Sequence, residues 1–187
     1  MVGHLVKFVA SFSCTLLFCV VAISTLAPAK GQAEQITLNS ESQLVDMSTD
    51  AAVKDFLADP SHLVIQTADR KHPFIIELAD DDSSRTKGLM YRTKMAENAG
   101  MLFDFGESRQ INMWMKNTYI SLDMLFVRQD GTIHHLVKST TPLSQSIIGS
   151  GGPVRYVLEV NKGTVERTGV KPGDQLLHQL FTPKSSK

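Results

Sequence analysis

The longest apolar stretch of the chain runs from Phe8 to Leu26, and nothing after it matches that length. Lys7 precedes it with a positive charge, and the small residues Ala27, Ala29, Gly31 and Ala33 follow. A charged start, an apolar middle and a small-residue end make an export signal, so residues 1–33 are expected to be a cleavable signal peptide outside the fold. Cleavage after Ala33 fits Gly31-Gln32-Ala33 and is preferred to cleavage after Ala29, where Pro28 stiffens the site. If retained, the segment becomes an inner-membrane anchor, because a spanning helix needs roughly 20 apolar residues. The expected location is therefore periplasmic or secreted, with contact to a membrane only if the segment stays attached.

Residues 34–61 are polar and mixed, an N-terminal arm with one helix predicted over Thr49 to Ala58. Thr49 or Asp50 would cap it, and Val53, Phe56 and Leu57 would form its narrow apolar stripe. Residues 62–182 read as a single β-rich domain, followed by a flexible tail at 183–187. Within the domain, the runs Leu63 to Thr67 and Pro73 to Leu78 flank a charged turn and predict a hairpin. Asp80 to Ser84 set acids and hydroxyls before a short helix over Arg85 to Tyr91. Strands are predicted at Met101 to Phe105, Gln110 to Lys116 and Ser121 to Arg128, and the Asp130-Gly131 turn leads into a strand at Thr132 to Lys138. Ser139 to Pro153 lacks periodicity and is rich in Ser, Thr and Gly, which predicts a mobile loop. Beyond it come a strand at Val154 to Val160, a helical turn at Thr164 to Thr168 closed by Gly169, and a last strand at Gln175 to Phe181. Many short strands with few helices predict an α+β fold, mainly antiparallel, built as a small barrel or sandwich with short helical insertions.

Composition narrows this picture. Cys14 and Cys19 both lie in the signal segment, so the 154 residues after Ala33 contain no cysteine, and neither a disulfide nor a cysteine-zinc site is available. A chain of that size buries enough surface to fold without such staples. The whole sequence carries 19 basic and 19 acidic residues; Lys7 and Lys30 precede the cleavage point and every acid follows it. This near balance gives no general electrostatic reason to bind nucleic acid.

The block Met113 to Phe126 holds the most candidate chemistry. Alternation places Ile111, Met113, Met115, Ile120, Leu122, Met124 and Phe126 on one face of two neighbouring strands. The opposite face then gathers Asn112, Trp114, Lys116, Ser121 and Asp123. As a binding surface, Trp114 would supply an apolar plate and a donor, with Lys116 and Asp123 orienting a polar ligand. As plain architecture, Lys116 and Asp123 would form a cross-strand ion pair under Trp114. Arg85 and Arg92 flank Gly88-Leu89-Met90 and are suited to holding a carboxylate, or to pairing with Asp82 or Asp104.

Enzyme signatures are thin. His134 and His135 are adjacent in a predicted strand and point to opposite faces, and His62, His72 and His178 lack ligand-like spacing. Gly149 to Gly152 resembles a phosphate loop but leads into Pro153 and a strand rather than a helix. The many methionines suit core gaps better than copper. No metal and no cofactor is expected.

The motifs Gly88-Leu89-Met90-Tyr91-Arg92, Gly100-Met101-Leu102-Phe103, Met113-Trp114-Met115-Lys116-Asn117-Thr118, Leu122-Asp123-Met124-Leu125-Phe126, Tyr156-Val157-Leu158-Glu159 and Gly169-Val170-x-x-Gly173-Asp174 together resemble the domain of unknown function 192 family. The resemblance spans Leu63 to Phe181 and implies a compact β-rich fold, but supplies no reaction. Ser121 stands where that family usually has proline.

Three functions remain open. The first is an extracytoplasmic binding or accessory module for a small molecule or protein, with Arg92, Trp114, Lys116, Asn117 and Asp123 at its site. The second is a hydrolase or transferase using Asp123 or Asp104 as general base, with Lys116 or Arg92 stabilising charge. The third is a structural domain with no ligand.

Overall fold

In the computed structural model, the described residues are 36–38 and 44–181. The expected signal peptide (1–33) and tail (183–187) lie outside them. Strands β1 (Ile36–Leu38) and β2 (Leu44–Asp46) form a small antiparallel ladder. Helix α1 (Asp50–Phe56) starts where the sequence places it: the Thr49 hydroxyl accepts the Ala52 N–H at 3.1 Å. It buries Val53 with Met47 and Val64.

Strands β3 (His62–Gln66) and β4 (Lys71–Ala79) make the expected hairpin. Helix α2 (Asp82–Lys87) begins in a reciprocal cap, with Asp81 accepting from the Ser83 and Ser84 amides while the Ser84 hydroxyl accepts the Asp81 N–H. It stops short of the expected Tyr91 because Gly88 turns to φ 46°, lying so close over Phe103 that a Cβ would meet the ring at 3.1 Å.

Strand β5 (Ala99–Met113) runs parallel to β4, joined by a crossover that contains α2. The two strands predicted at 101–105 and 110–116 are thus one long strand, interrupted by register shifts rather than by a loop. Gly106, at φ 79°, and the Asp104 carboxylate that accepts its amide shape the irregularity.

The remaining elements are β6 (Leu122–Val127), β7 (Ile133–Val137), β8 (Ile148–Asn161), α3 (Thr164–Thr168) and β9 (Gln175–Leu177). Gly169 closes α3 in the left-handed region, as expected. The last strand is shorter than predicted, since His178 leaves the ladder to bond the Pro60 carbonyl at 2.9 Å. The predicted loop at 139–153 is also corrected. From Ile148 onward it is strand, because β5 offers partners to Gly149 and Pro153 and the buried Ser150 hydroxyl accepts the Ile111 N–H.

The seven strands follow the order β7-β6-β8-β5-β4-β3-β9, all antiparallel except β4 with β5. The two edges meet: Thr132 bridges Gln175, and Leu176 N–H donates to the Gly131 carbonyl at 2.8 Å. The result is a nearly closed barrel, the α+β small-barrel architecture expected. Its interior holds Phe74, Leu102, Leu125, Tyr156 and Leu158. The other face of β5, β6 and β8 is buried too, under Leu89, Ile111 and Met115, in a second cluster with Phe103, Met124 and Val157. Two apolar faces explain why β6 is buried at every position.

Candidate functional site

Sequence parity correctly places Ile111, Met115, Leu122, Met124 and Phe126 in one apolar cluster. It does not make β5 and β6 neighbours, because β8 lies between them. The expected meeting of Lys116 with Asp123 therefore does not occur. Asp123 is 1% exposed, and its two oxygens accept from the Ser139 N–H (2.8 Å) and the Val165 N–H (2.9 Å). It ties the end of β7 to the first turn of α3.

Trp114 and Lys116 do come together, just past the end of β5. The indole is 44% exposed and the Lys116 Nζ lies 5.2 Å from its ring centroid, a cation–π contact. Both line a cleft of about 320 Å³ between α2 and the β5–β8 ladder, whose walls include Met90, Phe103, Phe105 and Met113. Its volume is at the lower end of the roughly 300–1,000 Å³ of small-molecule sites.

Helix α2 roofs one side of this cleft although it buries no residue of its own. Arg85 holds it down: Nη1 donates to the Asp80 carbonyl (2.5 Å) and to the Asp104 carbonyl (2.8 Å), and Nη2 pairs with Asp82. The guanidinium also stands 5.8 Å from the Phe105 ring. Lys87 and Lys116 complete the cationic mouth, and among the described residues neither is in a salt bridge.

Arg92 and Asn117, expected at the site, do not line the cleft themselves and bond to neighbouring segments. Arg92 grips both oxygens of Glu77, at 2.5 and 2.6 Å, which holds the Glu77 carboxyl below its ordinary range. Asn117 donates to the Tyr91 hydroxyl at 2.9 Å, while its carbonyl accepts the Tyr91 N–H at 2.8 Å. The non-glycine residues with positive φ among those described are Tyr91, Asn117, Ser139 and Leu143. Tyr91 and Leu143 bond directly to the 117–118 turn. Backbone in this region is strained for bulky side chains; Tyr91 follows Met90, and Asn117 lies between Lys116 and Thr118, all three of which line the cleft. Ser121, at the other end of that turn, uses its hydroxyl to hold the Thr140 carbonyl at 2.7 Å, which proline cannot do.

The residue that sequence reading passed over is Glu159. On β8 it faces the second apolar cluster, in register with Met101 of β5 and Met124 of β6. It is 4% exposed and reaches the floor of the cleft, with no hydrogen bond or ion pair to any described residue. Burial alone pushes its carboxyl from 4.5 up to about 8, so it is mostly a neutral acid at neutral pH. The available signal was one acid inside the apolar run Val157-Leu158-Glu159-Val160.

The two other acids considered as bases are committed elsewhere. Asp123 holds its two amides. Asp104 is gripped by Arg155 through two bonds of 2.8 and 2.9 Å; burial opposes its ionisation, but Arg155 and the Gly106 amide outweigh burial and keep the carboxyl below its usual value. Among the described residues no group of three or more His, Cys, Asp or Glu side chains is placed to hold a metal ion.

The model of the domain of unknown function 192 (DUF192) family, described as an uncharacterized ACR, matches residues 63–178. A crystal structure of a candidate transcription regulator from Sinorhizobium meliloti is similar at 55% identity and a TM-score of 0.61, over 62% of this chain and 91% of that one. A protein of unknown function from Novosphingobium aromaticivorans is similar at 33% identity and a TM-score of 0.60, over 62% of this chain and 83% of that one. No curated protein compared with the chain matches it.

Proposed function

We infer, for a chain that belongs to the DUF192 family, an exported module that binds a small ligand in the cleft between α2 and the β5–β8 ladder. One juxtaposition carries this reading: a buried carboxyl that bonds to no other described residue lines the same cleft as an exposed indole and two ammonium groups that, among the described residues, are outside any salt bridge. Packing alone favours leucine or methionine at position 159, because a polar group buried without a partner destabilises a fold. A binding site needs such a group, since a ligand can supply the missing partner.

Export is supported by the apolar segment and small-residue end of residues 1–33. Transcription regulation, the role attached to the Sinorhizobium meliloti relative, draws no support from a chain with 19 basic and 19 acidic residues. Trp114 is the single tryptophan, so its fluorescence reports on the cleft. Titrating the full chain with a library of sugars, wall fragments, amino acids and organic acids should give a saturable change that Lys116→Ala weakens. A Trp114 indifferent to every class would count against a ligand site. Export is checked separately by fractionating cells and sequencing the N-terminus, with Glu34 expected as the first residue.

A further inference from the structure

The cleft has two polar stations separated by apolar wall. At the mouth stand Lys87 and Lys116; at the floor stands Glu159; between them lie Phe103, Met113 and Trp114. Each station sets a different requirement. The mouth carries positive charge, because Asp82, the one carboxylate that lines it, is taken by Arg85 at 2.6 Å. An anionic group is favoured there and a cationic one repelled. The floor carries a buried acid that no other described residue bonds and that lies between Met101 and Met124 on the neighbouring strands, which disfavours its charged form. A neutral carboxylic acid is a hydrogen-bond donor, and the partner it lacks is an acceptor oxygen.

With that cleft as the binding site, we propose that its ligand is an amphipathic oxo or hydroxy acid. Its anionic group sits between Lys87 and Lys116, its apolar or aromatic body lies against Phe103 and Trp114, and its second oxygen accepts a hydrogen bond from Glu159. Glu159 is then the specificity-determining residue and makes binding proton-dependent. Ionisation removes the donor and sets a carboxylate against the ligand's oxygen, so affinity falls as pH rises through about 8.

The charged groups that share the cleft with Glu159 come from two segments. Helix α2 contributes Asp82, Arg85 and Lys87 to the cleft, the segment after β5 contributes Lys116, and among the described residues no histidine or cysteine lines it. Strands β5 and β6 oppose Glu159 with Met101 and Met124. The Asp104 carboxylate of β5 is held by Arg155.

Three probes of one shape test the idea: para-acetylphenylacetate, its isostere para-isopropylphenylacetate, which lacks the ketone oxygen, and para-acetylphenethylamine, which exchanges the anion for a cation. Each is titrated into the full chain while the indole N–H signal of Trp114 is followed by proton–nitrogen correlation NMR. Well below pH 8 the keto acid should bind about tenfold more tightly than its isostere, the worth of one hydrogen bond to a buried group. That advantage should vanish above the titration of Glu159, and the amine should bind most weakly. Glu159→Gln keeps a donor without a charge, so it should retain the preference and lose its pH dependence. Lys116→Ala should weaken both acids equally.

Failures of the inference and of the cleft reading are separable. If both acids move Trp114 in a lysine-dependent way but equally well, or with a preference unchanged across pH, the role of Glu159 is overturned and the cleft stands. Tighter binding of the amine overturns the ligand class. If no probe moves Trp114, the cleft as a site for such ligands falls, and the inference with it.

Discussion

Replacing Glu159 with glutamine should make the protein more stable, by an amount that depends on pH in a defined way. The side chain is 4% exposed, and its carboxyl titrates near 8 in the folded protein against an ordinary 4.5. Between those values the unfolded chain has released the proton while the folded chain still binds it, so stability falls as pH rises. Each pH unit in that window removes about 1.36 kcal/mol. The loss is absent below about pH 4.5, reaches about 3 kcal/mol at pH 7 and levels off near 5 kcal/mol above pH 8. Glutamine does not titrate. The difference between Glu159→Gln and the parent should therefore be a fixed offset in acid, set by how the amide packs, and grow by several kcal/mol towards alkaline pH. Urea unfolding followed by circular dichroism at a series of pH values measures it. Parallel stability curves for the two proteins would refute the premise that Glu159 is a buried, unpaired acid.

Other residues carry their own expectations. Asp104→Asn removes the charge that holds Arg155 across the β5 irregularity and should destabilise by about 1–3 kcal/mol in urea unfolding. Because the folded carboxyl titrates below 3.8, its contribution is present above that value and should fade as acid protonates it; Asp104→Asn should flatten that acid limb. Asp123→Asn leaves one of two amides without an acceptor oxygen and should cost about 1–3 kcal/mol, with faster amide exchange at Ser139 or Val165. Trp114→Ala should lower stability by only about 1 kcal/mol, since the ring is half exposed and loses one cation–π contact. A loss of several kcal/mol, as for a core aromatic, would assign Trp114 to the scaffold.

Local chemistry was legible in the sequence where it acts over a few residues. Thr49 caps α1, Asp81 and Ser84 cap α2, Gly169 ends α3, and the β3–β4 hairpin follows from its charged turn. Period-two alternation also sorted Ile111, Met115, Met124 and Phe126 onto one face. What alternation cannot convey is which strand lies beside which. The insertion of β8 between β5 and β6 moved Asp123 away from Lys116 and gave Gly149 to Pro153 a strand partner despite their loop-like composition. The same insertion brought Glu159 into one cleft with Trp114, from 45 positions further along the chain. An isolated acid in an apolar run was the visible trace of that site, and only the packing of a second buried face gave it meaning.

The most direct test of the cleft as a ligand site is to record proton–nitrogen correlation spectra of the full chain during titration with a library of aromatic and aliphatic organic acids. Binding in the cleft should shift the Trp114 indole N–H together with the backbone amides of Lys87 and Gly88 on the opposite wall, with one saturation curve for all three. Saturable shifts confined to other surfaces, with these three signals unmoved, would contradict it.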